Sequence, residues 1–113
     1  MVTPRKIQPA AVRTAVLVMN AGHGLTLCPV FAKCDGILLV EPDGSRSYHP
    51  NTEGTARSLT DLVLNTRSER LLCGFIATAE KKVLRAAGID IRVGSCACAV
   101  DELVASFSTL PEA

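Results

Sequence analysis

Between residues 70 and 107 the hydrophobic period of the chain switches repeatedly, and this alternation limits the fold more than any other feature. "RLLCGF" (70–75) is a short apolar run of strand length. "TAEKKVLRAAG" (78–88) has helical spacing. Thr78 is placed to cap it, Glu80 suits its positive end, and Gly88 suits its stop. Ile76, Ala79, Val83 and Ala87 are the expected buried stripe. "IDIRV" (89–93) alternates strictly, as an edge strand does, and "AVDELVASF" (99–107) is a last helix with Asp101 and Glu102 in its first turn. Two successive β-α units predict parallel strands with right-handed crossovers.

The first half reads as a meander. "TAVLVMN" (14–20) is a β-branched apolar run suited to a central strand. A glycine-containing loop spans 21–36, and "ILLVE" (37–41) is a second apolar strand. "EPDG" (41–44) has the Pro and Gly positions of a type I turn. "SRSYH" (45–49) is less hydrophobic and suits an antiparallel edge strand. Leu59, Leu62 and Val63 then recur at helical spacing, with Asn51 or Thr52 as cap and Ser58 with Asp61 as a later capping pair. The predicted order is β-β-β-α-β-α-β-α: an α/β fold with a mixed five-stranded sheet and helices on its faces. Residues 1–13, with two prolines and mixed charge, read as a loose arm before a single domain over 14–113.

Tracing strand directions brings the unusual side chains together. The loop 21–36 carries His23, Cys28 and Cys34; the third strand ends at His49; the fourth ends at Cys73; the fifth is followed by Cys96 and Cys98. All five cysteines and both histidines are therefore expected at the carboxyl edge of the parallel strands, where open α/β sheets bind ligands. Each thiol has three readings: a small buried hydrophobe, a metal ligand, or a nucleophile. Cys28 and Cys34, flanking Val30 and Phe31, have partial core character, and Cys73 has a packing reading inside its strand end. Cys96 and Cys98 are the hardest to assign to packing, because a helix start favours thiolates. Thiolates with an imidazole select soft or borderline metals and iron–sulfur species over magnesium or calcium.

Composition removes several function classes. A net charge of +1 gives no basic face for nucleic acid or for a charged membrane surface. No apolar run approaches the roughly 18 residues of a membrane span, and no leader pattern opens the chain, so a cytoplasmic protein is expected. An odd count of five cysteines in a chain that is 48% apolar does not suggest a disulfide framework. Asp35, Asp43, Glu53, Asp61 and Asp101 do not converge as a two-metal nuclease would require, and no Cys-His nucleophile signature is present. Enzymatic activity is not expected.

From Thr14 to Phe107 the chain resembles the dinitrogenase iron–molybdenum cofactor biosynthesis family, which includes NifX, the NafY core and the C-terminal part of NifB. The resemblance rests on "VFAKCDGILLVE", "HPNTEGTA", "CGFIATAEKKVLRAAGIDIRV" and "GSCACAVDELV". In the first of these, Phe31 is kept, while Ala32 and Lys33 replace a Gly and an Arg. The resemblance implies a ribonuclease-H-like α/β fold. It also implies a role in binding, carrying or inserting an iron–sulfur or iron–molybdenum cofactor beside nitrogenase-type or cofactor-assembly proteins. It places His49 near a segment implicated in cofactor contact. This chain departs from the family pattern at Cys73, Cys96 and Cys98, where relatives usually carry Gly, Ser or Thr.

Two functions follow as expectations. One is a small cluster carrier, monomeric or weakly dimeric, with metal ligands Cys73, Cys96 and Cys98 and further cofactor contacts from Cys28, Cys34 and His49. The other is a metal-free protein-interaction module whose cysteines pack.

Overall fold

The computed structural model describes residues 12–20, 22 and 24–113. The expected arm lies outside the described residues except at its end, and so does His23. Arg13, counted with the arm, is tied to the fold. Its guanidinium bonds the Glu41 carboxylate at 2.9 Å and the Thr66 carbonyl at 2.7 Å.

The described residues form six strands and three α-helices, with strands and helices alternating from the first helix onward. They are β1 (Thr14–Asn20), β2 (Leu25–Leu27), β3 (Gly36–Val40), β4 (Arg46–Pro50), α1 (Ala56–Asn65), β5 (Arg70–Cys73), α2 (Thr78–Ala86), β6 (Asp90–Val93) and α3 (Val100–Ala105). The main sheet runs β4-β3-β1-β5-β6, with β1, β5 and β6 parallel and β3 antiparallel to both its neighbours. The mixed sheet and its five long-range strands match the sequence expectation.

The sixth strand was not expected. β2 pairs antiparallel with the end of β1, Val18 opposite Leu27 and Asn20 opposite Leu25. Three residues, "LTL", are too few to show a period. The turn is made by glycines: Gly22 and Gly24 sit at φ +87° and +143°, backbone space that other residues rarely enter. The Asn20 side chain accepts the Gly22 N–H at 2.9 Å, closing the turn.

The sheet is covered on both sides, which explains why β1 and β3 read as unbroken apolar runs. Ala15, Leu17, Ile37, Leu39, Leu71 and Ile91 face α1 and α2 together with Leu59, Val63 and Leu84. Val16, Val18, Leu38 and Leu72 face α3, packing on Val100, Leu103 and Phe107. The Phe107 ring lies between the Arg70 and Arg92 guanidinium groups, 4.7 and 5.4 Å from its centre.

Helix starts differ from the sequence reading. α1 is capped by Thr55, whose hydroxyl accepts the Ser58 N–H at 3.0 Å while Ser58 Oγ accepts the Thr55 N–H at 3.2 Å. Asn51 supports this capping box by accepting the Ser58 hydroxyl at 2.6 Å. α2 starts after Ala77, so Thr78 is its first residue and no side chain caps it. Its core residue is Leu84; Ala79, Val83 and Ala87 are exposed. One residue is a 100° step around a helix, so the neighbour of Val83, not Val83 itself, meets the sheet.

The two outer strands end differently. β6 is bordered on its free side by Pro111–Ala113: Val93 N–H donates to the Pro111 carbonyl at 2.9 Å, and Ala113 N–H to the Ile91 carbonyl at 3.1 Å. β4 has no strand on its outer side among the described residues.

Candidate functional site

β1, β4, β5 and β6 run in one direction, so Asn20, Pro50, Cys73 and Val93 all end at one edge of the sheet. This is the edge that the sequence directions pointed to. Its segments are locked by close backbone approach. The Phe75 N–H donates to the Pro29 carbonyl at 2.7 Å, and the Phe31 N–H donates to the Phe75 carbonyl at 2.8 Å. Gly74 lies between them, and a Cβ there would come within 2.4 Å of the Pro29 oxygen. Only glycine lets these two segments meet. The consequence is that Phe75 projects outward, 67% exposed.

The five thiols fall into two sets. Cys28, Cys34 and Cys73 are buried among the residues facing α1 and α2. The Cys28 and Cys34 thiols both donate to the Val30 carbonyl, at 3.1 and 3.3 Å, and the Cys73 thiol donates to the Arg92 carbonyl at 3.8 Å. Burial pushes the Cys73 thiol up to about 12. Burial also drives the Cys34 thiol far upward, reinforced by its contact with the Cys28 thiol and by the nearby Cys73 and Asp35. These two groups are held as thiols at neutral pH, and a thiolate is the form that ligates metal or attacks.

Cys96 and Cys98 are exposed. They lie in the turn between β6 and α3, which Ser95 organises. Its hydroxyl oxygen accepts the Ala97 N–H at 3.1 Å and its carbonyl accepts the Cys98 N–H at 3.1 Å. The turn is joined to the neighbouring strand end through Gly94 N–H and the Cys73 carbonyl, at 3.0 Å. Cys98 also borders an open cleft of about 430 Å³ with Glu102, Leu103, Ala105, Ser106 and Leu110.

The structure therefore does not bring the expected ligands Cys73, Cys96 and Cys98 into one set. The Cys73 side chain belongs to the α1/α2 side of the sheet, whereas Cys96 and Cys98 lead into the helix covering the opposite side. Among the described residues, no group of three or more His, Cys, Asp or Glu side chains is arranged to hold a metal ion. The Cys28 and Cys34 thiols are buried in the core. His49 is turned along its own strand, 3.0 Å from the Ser47 hydroxyl, and belongs to no such ligand group. Sequence reasoning missed Phe75 and Ser95. The Cys-Gly-Phe order at a strand end was the available signal for the first. A hydroxyl two residues before Ala97 was the signal for the second.

No family profile and no curated protein matches the sequence. Solved structures do match. The apo form of the orange protein from Desulfovibrio gigas superimposes with a TM-score of 0.79 at 22% identity, over 89% of this chain and 92% of that one. A protein from Thermotoga described as a candidate NifB protein has a TM-score of 0.71 at 18% identity, over 89% of this chain and 92% of its own. A protein from Methanocaldococcus jannaschii named as a candidate dinitrogenase has a TM-score of 0.71 at 17% identity, over 91% and 95% of the two chains. The chain shares their fold. None of its helices among the described residues is long and apolar enough to cross a membrane.

Proposed function

We propose that this chain is a small, non-enzymatic binder or carrier of a metal–sulfur cofactor of the iron–sulfur or iron–molybdenum class, handing it to nitrogenase-type or cofactor-assembly partners. The observation that carries this reading is the exposed Cys96/Cys98 pair at the carboxyl edge. It sits on a fold shared with a protein solved in an apo form, with a candidate NifB protein and with a candidate dinitrogenase. Two thiols per chain leave a cluster with open coordination positions, which suits delivery rather than permanent housing. Exposed Phe75 adds an apolar contact at the same edge. The buried thiols Cys28, Cys34 and Cys73 take no part.

Anaerobic incubation with ferrous iron and sulfide, followed by gel filtration, visible absorption and metal analysis, tests the proposal. The wild type is expected to retain iron and sulfide together with a visible band. The Cys96→Ser/Cys98→Ser variant is expected to retain less than about a tenth as much. An iron-free wild type, or equal loading of the variant, sinks the reading. The competing reading, a metal-free interaction module, draws on the burial of Cys28, Cys34 and Cys73. It expects no iron uptake by either protein.

A further inference from the structure

The outer edge of β4 has a defined hydrogen-bonding pattern. The Glu41 N–H donates to the Ser45 carbonyl and the Asn51 N–H to the Asp35 carbonyl, both at 2.9 Å. Ser47 lies opposite Leu39 and His49 opposite Ile37. Bonded positions recur at every second residue of an antiparallel strand, so 45, 47, 49 and 51 turn their backbone groups toward β3. Arg46 and Tyr48 turn theirs outward, and Pro50 turns its carbonyl outward. Among the described residues nothing pairs with them. The proline costs the sheet nothing, because its missing N–H would have faced away from β3.

We infer that β4 pairs antiparallel with β4 of a second copy of this chain, joining two sheets into one. The register that overlaps the strand over its full length places Tyr48 opposite the partner's Tyr48. In that register the two Tyr48 residues exchange N–H···O=C bonds, and each Arg46 N–H meets the other copy's Pro50 carbonyl. The single donor that Pro50 lacks faces only an Arg46 carbonyl. No like charges oppose each other, since Arg46 faces Pro50 and ion-pairs with Asp101 of its own chain. Tyr48, 43% exposed, gains an aromatic cross-strand neighbour. The strand is self-complementary, which is what a two-fold interface requires. The opposite sheet edge, bordered by Pro111–Ala113, cannot serve in the same way. A contact of five residues on each side is small, so the pair is expected to be weak and concentration-dependent.

Sedimentation of the full chain from about 10 µM to about 1 mM tests this, in the range where weak pairs of this size form. The mass is expected to rise from 11.9 kDa toward twice that value. Tyr48→Lys and Tyr48→Glu, each at an exposed position, are expected to weaken self-association at least about tenfold, because like charges then face each other. Mixing the two variants is expected to restore pairing. Amide hydrogen exchange on the wild type gives a readout that needs no substitution: the Arg46 and Tyr48 amides gain protection as concentration rises. A wild type that stays monomeric throughout overturns the inference. So does a dimer indifferent to either substitution. Arg46 and Tyr48 amides protected equally at every concentration would mean the edge is covered within one chain, which also overturns it.

Discussion

At the scale of single residues, the decisive fact is which way a side chain points from the edge. Cys73 and Gly94 are adjacent in the backbone, joined by a 3.0 Å hydrogen bond, yet the sulfur of Cys73 lies in the core. A buried thiol held protonated has a measurable cost at high pH. The folded-state value for Cys73 is pushed up to about 12, against 9.0 for the unperturbed group. Below pH 9 both states keep the proton and the group adds no pH dependence. Between about 9 and 12 only the unfolded chain releases it, so stability falls with rising pH. The slope from one such group approaches about 1.4 kcal/mol per pH unit. Cys73→Ala is expected to lose about 1 kcal/mol at pH 7 through the vacated volume and to show a flatter decline up to pH 11. Urea midpoints at pH 7, 9.5 and 10.5 check both. The sequence made the edge legible at this scale, because strand directions follow from connection rules. It offered the burial of Cys73 as one reading beside ligation and did not decide between them. Leu71 and Cys73 face one side of the sheet and Leu72 the other, and that parity depends on a register no local pattern carries.

At the scale of elements, α1 and α2 differ at their starts, and stability should register the difference. α1 has a reciprocal capping box between Thr55 and Ser58, so Thr55→Ala is expected to cost about 1 kcal/mol. α2 has Ala77 as its N-cap, with no side-chain acceptor, so Ala77→Asp is expected to add roughly 0.5–1 kcal/mol. Chemical denaturation of both variants checks the pair. Opposite signs are expected, and two changes in the same direction would mean that the caps do not control these helices. The one-residue error over α2 has a plain cause. Thr78 has the right chemistry for a cap, and only the extended backbone of Ala77 shows that the cap lies one position earlier. The same shift moved the buried stripe from Val83 to Leu84. Element order and type were legible because each long segment keeps one period. β2 was not, since its pairing depends on the glycine turn that folds it back on β1.

At the scale of the whole molecule, Arg92 connects the closed sheet edge to the helical layer. Its guanidinium donates to the Leu110 carbonyl at 2.8 Å and the Ser108 carbonyl at 3.1 Å, bonds Asp90 at 2.8 Å, and lies over Phe107. Arg92→Ala is expected to loosen the segment leading to Pro111–Ala113 and uncover the outer side of β6. Faster amide exchange at Val93 and Ala113, with species heavier than two chains in sedimentation, checks this. Unchanged exchange would show that the segment is held by its backbone bonds alone. The mixed sheet, its central strand and its helical layers were legible in the sequence; the asymmetry between the outer strands was not, because it rests on residues after the last predicted helix. The direction of β4 sets one further condition on any paired form. Pro50 and the exposed thiols lie at the same end of each sheet, so antiparallel pairing turns the two thiol-bearing ends away from each other. Such a particle has two poles, with one Cys96/Cys98 pair at each.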